Sequence, residues 1–214
     1  NCKMLKDMTK GSETRHILVF AIPMFIGNIF QQLYNMVDSI VVGRYIGKDA
    51  LAAVGTSSPI VFFLIAMVMG LSMGASVIIS QLYGAGDSKN LKRAVSTAYI
   101  FLLAGGVIIT LIGLLFSRSL LRLLQTPEEI FNDALAYLNI ILIGLIFTFA
   151  YNAISAILRG LGDSKTPLYF LIITSLLNVV LDIWFVSSLG MGVEGSAWAT
   201  VISQYLSMAL VIIY

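Results

Sequence analysis

Two aspartates, Asp38 and Asp182, stand inside long apolar stretches of a 214-residue chain with only 11% charged residues. A carboxylate at mid-membrane depth costs roughly 2.5–3.5 kcal/mol on insertion scales, so it belongs against a cavity, a partner or an ion path rather than lipid. Asp38 ends a polar stripe, Asn28, Gln31, Asn35 and Asp38, whose spacing of three, four and three keeps it on one helical face. Gln32 lies beside it. Asp182 ends a second stripe with Thr174 and Asn178, at every fourth residue. Such oxygen ligands suit a hard cation like Na⁺. They suit a proton equally well, because two carboxyls in contact resist ionising together. The residues alone leave that choice open, and the plainer alternative is a pair of acids that only hold helices together.

Two further faces add hydroxyls. Ser196, Thr200, Ser203 and Ser207 share one, and Thr148, Asn152, Ser155 and Arg159 share another, with Tyr137 and Tyr151 nearby. The serines by themselves read as hydrogen bonds between helices. Four stripes, two of them acidic, read as one wet cavity.

The elements that must position these groups are membrane helices. The chain is 58% hydrophobic with a mean hydropathy of +0.94, whereas soluble domains carry about 25% charged residues. Apolar segments cover 17–43, 50–83, 91–116, 127–159, 167–189 and 196–214, each long enough to cross a core of about 30 Å. The expected organisation is a tail over 1–15 followed by an all-α, six-helix transmembrane lobe over 16–214. Thr126-Pro127-Glu128-Glu129 reads as a capped start of the fourth helix, and Thr166-Pro167 as that of the fifth. Gly84-Ala85-Gly86 and Gly160-Leu161-Gly162 read as helix ends. Pro23 interrupts the first helix and is a candidate hinge; Pro59 is a weaker one. Gly70 and Gly74 read as a close-packing surface.

Charge sets the expected orientation. Nine Lys and Arg fall in the amino-terminal tail and the loops on its side, against four (Arg44, Lys48, Arg118, Arg122) on the other. The positive-inside rule therefore places the amino terminus in the cytoplasm. The basic start followed by an apolar run could mimic a signal peptide, but it leads into Asn28 and Gln31 without a cleavage pattern. By the same depth logic Asp38 lies roughly 32 Å along its helix, Asp182 roughly 22 Å along its own, and Thr200 about 6 Å from the far end of the sixth. All three fall in the outer half of the membrane.

Other classes recede. A net charge of +2 with scattered basic residues gives no nucleic-acid surface, and one Cys with one His gives neither disulfides nor a Cys/His metal site. The strings Gly84-Ala85-Gly86-Asp87-Ser88-Lys89 and Gly160-Leu161-Gly162-Asp163-Ser164-Lys165 echo each other, as do Asp49-Ala50-Leu51-Ala52 and Asp133-Ala134-Leu135-Ala136. A parallel repeat and shared turn chemistry explain the echo equally well. Neither string has the spacing of a phosphate loop. Beginning at Asn1 and stopping at Tyr214 within an apolar run, the sequence reads as a piece of a longer protein.

Gln31-Gln32-Leu33-Tyr34-Asn35-Met36-Val37-Asp38-Ser39, with Val42-Gly43-Arg44-Tyr45-Ile46-Gly47, resembles the first helix of the multidrug and toxic compound extrusion (MATE) transporters, closest to their DinF-like bacterial branch. Ala53-Val54-Gly55-Thr56-Ser57-Ser58-Pro59, Gly70-Leu71-Ser72-Met73-Gly74-Ala75 and Arg159-Gly160-Leu161-Gly162-Asp163 extend the likeness over nearly the whole chain. The resemblance implies the amino-terminal lobe of a twelve-helix transporter, with a second six-helix lobe as its missing partner. It implies a cation or proton site (possible Na⁺) at Asp38, Asn178, Asp182 and Thr200, and a switching role for Pro23. Tyr137 and Asn152 match polar cavity residues.

The function so implied is antiport of H⁺ or Na⁺ against small organic cations across a bacterial plasma membrane, with no cofactor beyond the coupling ion and lipid as the surroundings. A lipid-linked oligosaccharide flippase of the same superfamily would line its cavity with several arginines, where only Arg159 lies near a helix face. A membrane scaffold has no need of paired buried acids, and an intramembrane hydrolase lacks its usual partners.

Overall fold

The structure, a computed structural model, describes residues 13–214. Most of the expected tail over 1–15, Cys2 included, therefore lies outside the described residues. Six helices follow in order: α1 (Glu13–Tyr45), α2 (Lys48–Gly84), α3 (Ser88–Leu123), α4 (Glu128–Gly160), α5 (Lys165–Ile183) and α6 (Gly192–Ile213). Five of them, α2 to α6, are long and apolar enough to cross a membrane by length and composition. The remaining helix, α1, has 33 residues, which is ample length at about 1.5 Å each; its polar stripe dilutes its apolar content. The protein is a multi-pass, all-α membrane protein.

Packing is centred on α4, which lies against α2, α3 and α6, whereas α1 rests mainly on α5. Its buried side chains span its length, from Ile130 through Leu138 and Leu142 to Phe149. Small residues permit the approach. A Cβ on Gly144 would sit 2.6 Å from Val201 Cγ2 of α6, and one on Gly160 would sit 2.7 Å from Ile79 Cγ2 and 3.0 Å from Ser76 O of α2. Gly70 and Gly74 do not fill this role: nothing lies within 4 Å of a Cβ built on either, because both face outward from the bundle. Hydroxyls bridge the helices as well. Thr110 Oγ1 donates to Leu142 O (3.0 Å), Tyr151 OH to Pro167 O (2.9 Å) and Ser207 Oγ to Thr174 Oγ1 (2.6 Å). Phe62, Phe63, Leu115 and Leu123 are exposed on the outside, as lipid contact requires.

The helix ends correct two expectations. Thr126 does not cap α4; its Oγ1 donates back to Leu121 O at 2.8 Å and closes α3, while α4 opens after Pro127 with no side-chain cap. Nor does Thr166 cap α5, which already begins at Lys165. The capping group is Asp163. Its Oδ1 accepts from Lys165 N (3.1 Å) and Thr166 N (3.0 Å), and its Oδ2 from Thr166 Oγ1 (2.6 Å). The expected helix ends stand, since α2 stops at Gly84 and α4 at Gly160. Gly86 (φ 70°) and Gly162 (φ 93°) supply the left-handed backbone that lets the chain turn there. Helix α1 continues through Pro23 without a break. The expected fifth helix over 167–189 ends sooner as an α-helix, and a π-helical turn, Trp184–Ser188, completes it.

Candidate functional site

A cleft of about 770 Å³ runs along the bundle, walled by α1, α2, α4, α5 and α6, with no lining residue from α3. The α1 stripe faces it as its spacing predicts: Asn28, Gln31, Asn35 and Asp38 all line the cleft, whereas Gln32 does not. Tyr137 and Asn152 of α4 and Thr200 of α6 complete the polar wall, and Pro23 lines it too.

Asp38 marks the end of the cleft remote from the α2–α3 and α4–α5 loops, and there the separate stripes meet. Its side chain is only 8% exposed and its Oδ1 accepts a hydrogen bond from Ser196 Oγ at 2.5 Å. Behind it Asp182 is fully buried, and the two carboxyls are close enough to hydrogen-bond side chain to side chain. Asn178, 2% exposed, ties Asp182 to Thr200. With its amide turned to satisfy both ends, Nδ2 donates to Asp182 Oδ2 (3.1 Å) and Oδ1 accepts from Thr200 N (3.3 Å). In the opposite orientation Nδ2 reaches Thr200 Oγ1 at 3.3 Å. Asp182 Oδ1 is buried with no hydrogen-bond partner. The structure thus brings Asp38, Asn178, Asp182 and Thr200 together, with only Asp38 and Thr200 on the cleft wall and the other two behind them.

Ser196 is the residue that sequence reasoning left aside. It heads the α6 hydroxyl face, one turn before Thr200, where residue type alone suggests helix-to-helix hydrogen bonding like that of the other serines. That reading does fit Ser207, which bonds Thr174. What distinguished Ser196 was its level along the helix, matched to Asp38. Tyr34, on α1 one turn before Asp38, lines the same end of the cleft beside Tyr137. Its place follows from the stripe spacing, although its type did not draw notice.

Every atom offered around the two carboxyls is oxygen or an amide or hydroxyl proton. No sulfur or imidazole takes part, and among the described residues no group of three or more His, Cys, Asp and Glu side chains could hold a metal ion. Two acids in contact, with one oxygen unpaired, leave room for a single positive charge between them, either a proton or a hard, oxygen-seeking cation.

Residues 23–184 match the MatE family model. The chain belongs to the MatE family. The Bacillus subtilis protein named "Probable multidrug resistance protein YoeA" is 36% identical over 96% of this chain and 45% of its own length. A solved structure described as MATE in the bent conformation superposes with a TM-score of 0.89 at 34% identity, over 94% of this chain and 45% of that one. Another, MATE in the straight conformation, gives 0.91 at 33% identity, over 99% and 46%. The MatE chain here spans about half the length of the relatives it matches, as one lobe of a two-lobed protein would. A further solved structure, 34% identical over 94% of this chain with a TM-score of 0.89, is described as the outward-facing conformation of a multidrug resistance MATE family transporter.

Proposed function

We propose that this lobe is the coupling half of an antiporter that exchanges H⁺ or Na⁺ for small organic cations across the bacterial cytoplasmic membrane. The observation that carries the proposal is the closeness of the Asp38 and Asp182 carboxyls, with a buried, unpartnered Asp182 oxygen behind the cleft wall that Asp38 lines. A cation at Asp38, Asn178, Asp182 and Thr200 neutralises the pair, and its departure leaves two charges that repel. The coupling ion is then the only small partner needed besides the exported cation, and no cofactor enters. The substrate cleft closes against a second six-helix lobe, and lipid surrounds both. The charge bias of the loops supports a cytoplasmic amino terminus.

The flippase alternative calls for a cationic cavity, and among the described residues Arg159 is the one Lys or Arg lining this cleft. A scaffold offers no reason to bury two acids against each other at a several-kcal/mol desolvation cost.

Reconstitution tests the reading. In proteoliposomes made with the product of the complete reading frame, Asp38→Asn should abolish or severely reduce efflux of a cationic dye driven by a pH or Na⁺ gradient. Folding should persist, because removing a buried charge removes its desolvation cost. Wild-type rates in the Asn variant would sink the coupling role, and comparing the two gradients on the wild type identifies the ion.

A further inference from the structure

The cleft carries a second polar region that the acid cluster does not use. Ser72, Ser76 and Ser80 of α2 recur every four residues along one cleft-facing line, about 12 Å long. Arg159 of α4 stands beside its cytoplasmic end, fixed there because the neighbouring Gly160 packs directly on Ile79 and Ser76 O. Ser72 is 1% exposed and lines the cleft, yet its Oγ has no hydrogen-bond partner. Met69 and Met73 on α2, with Leu168 and Leu171 on α5, provide apolar wall alongside.

Among the described residues, the charged side chains lining the cleft are one acid, Asp38, and one base, Arg159. They cannot neutralise each other. Tyr137, which flanks Asp38, and Arg159 are 22 residues apart on α4, about 33 Å of helix. That is several times the roughly 8–10 Å over which charges in saline are felt. No ion pair to Arg159 occurs among the described residues, and the nearby Asp163 spends both oxygens on the start of α5. A guanidinium on a partly apolar cleft wall that serines also line, with no carboxylate paired to it among the described residues, can take an external anion, which its planar fork binds through two parallel hydrogen bonds.

We propose that Arg159, with Ser72 and Ser76 beside it, forms a subsite for the carboxylate or phosphate-ester group of an amphiphilic substrate; Ser80 is excluded because its hydroxyl donates to Val77 O at 2.8 Å. This rests on the reading of the cleft as a transport path. It narrows the substrates to cations that also carry an anion, or to anionic amphiphiles, with the apolar body laid along the methionine wall.

A matched pair of dyes tests it by equilibrium binding to the purified product of the complete reading frame. Rhodamine 6G is an ethyl ester with a fixed positive charge; its free acid presents the same ring system with an added carboxylate. The wild type should bind the acid about tenfold more tightly than the ester, as one charge-assisted bidentate contact allows. Arg159→Gln should erase that preference while leaving ester affinity unchanged, and Arg159→Lys should keep part of it. Equal binding of acid and ester by the wild type overturns the proposal without any variant being made. Equal weakening of both ligands by Arg159→Gln overturns it too, since that outcome means a structural arginine. Displacement of the acid by phosphatidylglycerol, absent in Arg159→Gln, would identify a lipid phosphate as the natural occupant; acid preference without displacement would identify a soluble anion. No ion gradient enters the measurement, so failure of the coupling reading would leave the ratio intact.

Discussion

Helix α5 is bracketed by two buried aspartates of opposite character. Asp163, 5% exposed, precedes its first turn and accepts three hydrogen bonds, two from backbone N–H groups that would otherwise be orphaned. The helix macrodipole favours a negative charge at that end. Asp182, fully buried, sits at the other end, where the dipole offers it nothing; one of its oxygens is unpaired and another carboxyl is its neighbour. Two residues later the π-helical turn Trp184–Ser188 begins, a distortion that tends to accompany functional sites. The same side chain is satisfied at one end and held in want of a positive charge at the other. What separates structure from function here is the identity of the partners, since burial is common to both.

The largest expected effects break this contrast in opposite directions. Asp182→Asn should cost at least tenfold in ion-driven efflux with no loss of thermal stability, because the variant removes a repulsive neighbour of Asp38. Asp163→Ala should do the reverse. Loss of a buried cap costs about 1–2 kcal/mol, so the melting temperature should fall while the residual ion dependence of transport is kept. A stable, uncoupled Asp163→Ala protein, or an unfolded Asp182→Asn protein, would invert the assignment of the two ends.

Pro23 sharpens the comparison from α1. It lines the cleft fifteen residues before Asp38, about 22 Å away along the helix, so an ion at Asp38 can affect it only by moving or rotating α1 as a body. Two solved relatives are described as MATE in the bent and in the straight conformation. Pro23→Ala restores a backbone donor and favours a straighter α1. Ion binding to the purified protein should survive in this variant while turnover slows several-fold, since an ion can shift only an element that has two arrangements. Unchanged turnover would reduce Pro23 to a static bend and favour rocking of whole lobes.

Much of this was legible in the residues. Hydropathy and loop glycines place six helices with ends within about four residues, counting the π-helical turn with α5, except that α3 runs seven residues past its expected end at 116. The three-and-four spacing of Asn28, Gln31, Asn35 and Asp38 predicted a cleft-facing stripe that the structure contains. Matched depth brought Asp38, Asp182 and Thr200 to one level. What stayed hidden depends on contacts between helices. Ser196 differs from Ser207 only in what faces it, and no periodicity reports a facing residue. Gly70 and Gly74 have the type of packing positions, yet the close approaches fall at Gly144 and Gly160 of α4 and at Gly106 and Gly113 of α3, which pack on Phe149 and Leu142 of α4, because α4 rather than α2 is the hub. The caps failed for a related reason. Thr126 and Thr166 had suitable side chains, but a neighbouring helix end and Asp163 claimed them. The π-helical turn has no residue pattern of its own.

The smallest effect tests whether the echoed loops share more than spelling. Asp87 stands to α3 as Asp163 stands to α5: its Oδ1 accepts from Asn90 N (3.1 Å) and its Oδ2 from Asn90 Nδ2 (2.7 Å), just as Asp163 serves Thr166 three residues on. The difference is exposure, since Asp87 lies in an open loop. Hydrogen bonds from Asn90, backbone first and side chain second, hold its carboxyl below the usual range. A depressed folded-state value means that the cap contributes stability above the unfolded value, about 3.9, and loses it as pH falls through the lower folded one. Asp87→Ala should therefore lower the melting temperature slightly at neutral pH, by less than Asp163→Ala does, and the gap from wild type should close as the acid limb is descended towards pH 3. A gap that is as large as that of Asp163→Ala, or that persists unchanged in acid, would mean that the two loops carry equal loads. Their likeness would then extend to the whole helix pair each one joins, which favours the parallel repeat over shared turn chemistry.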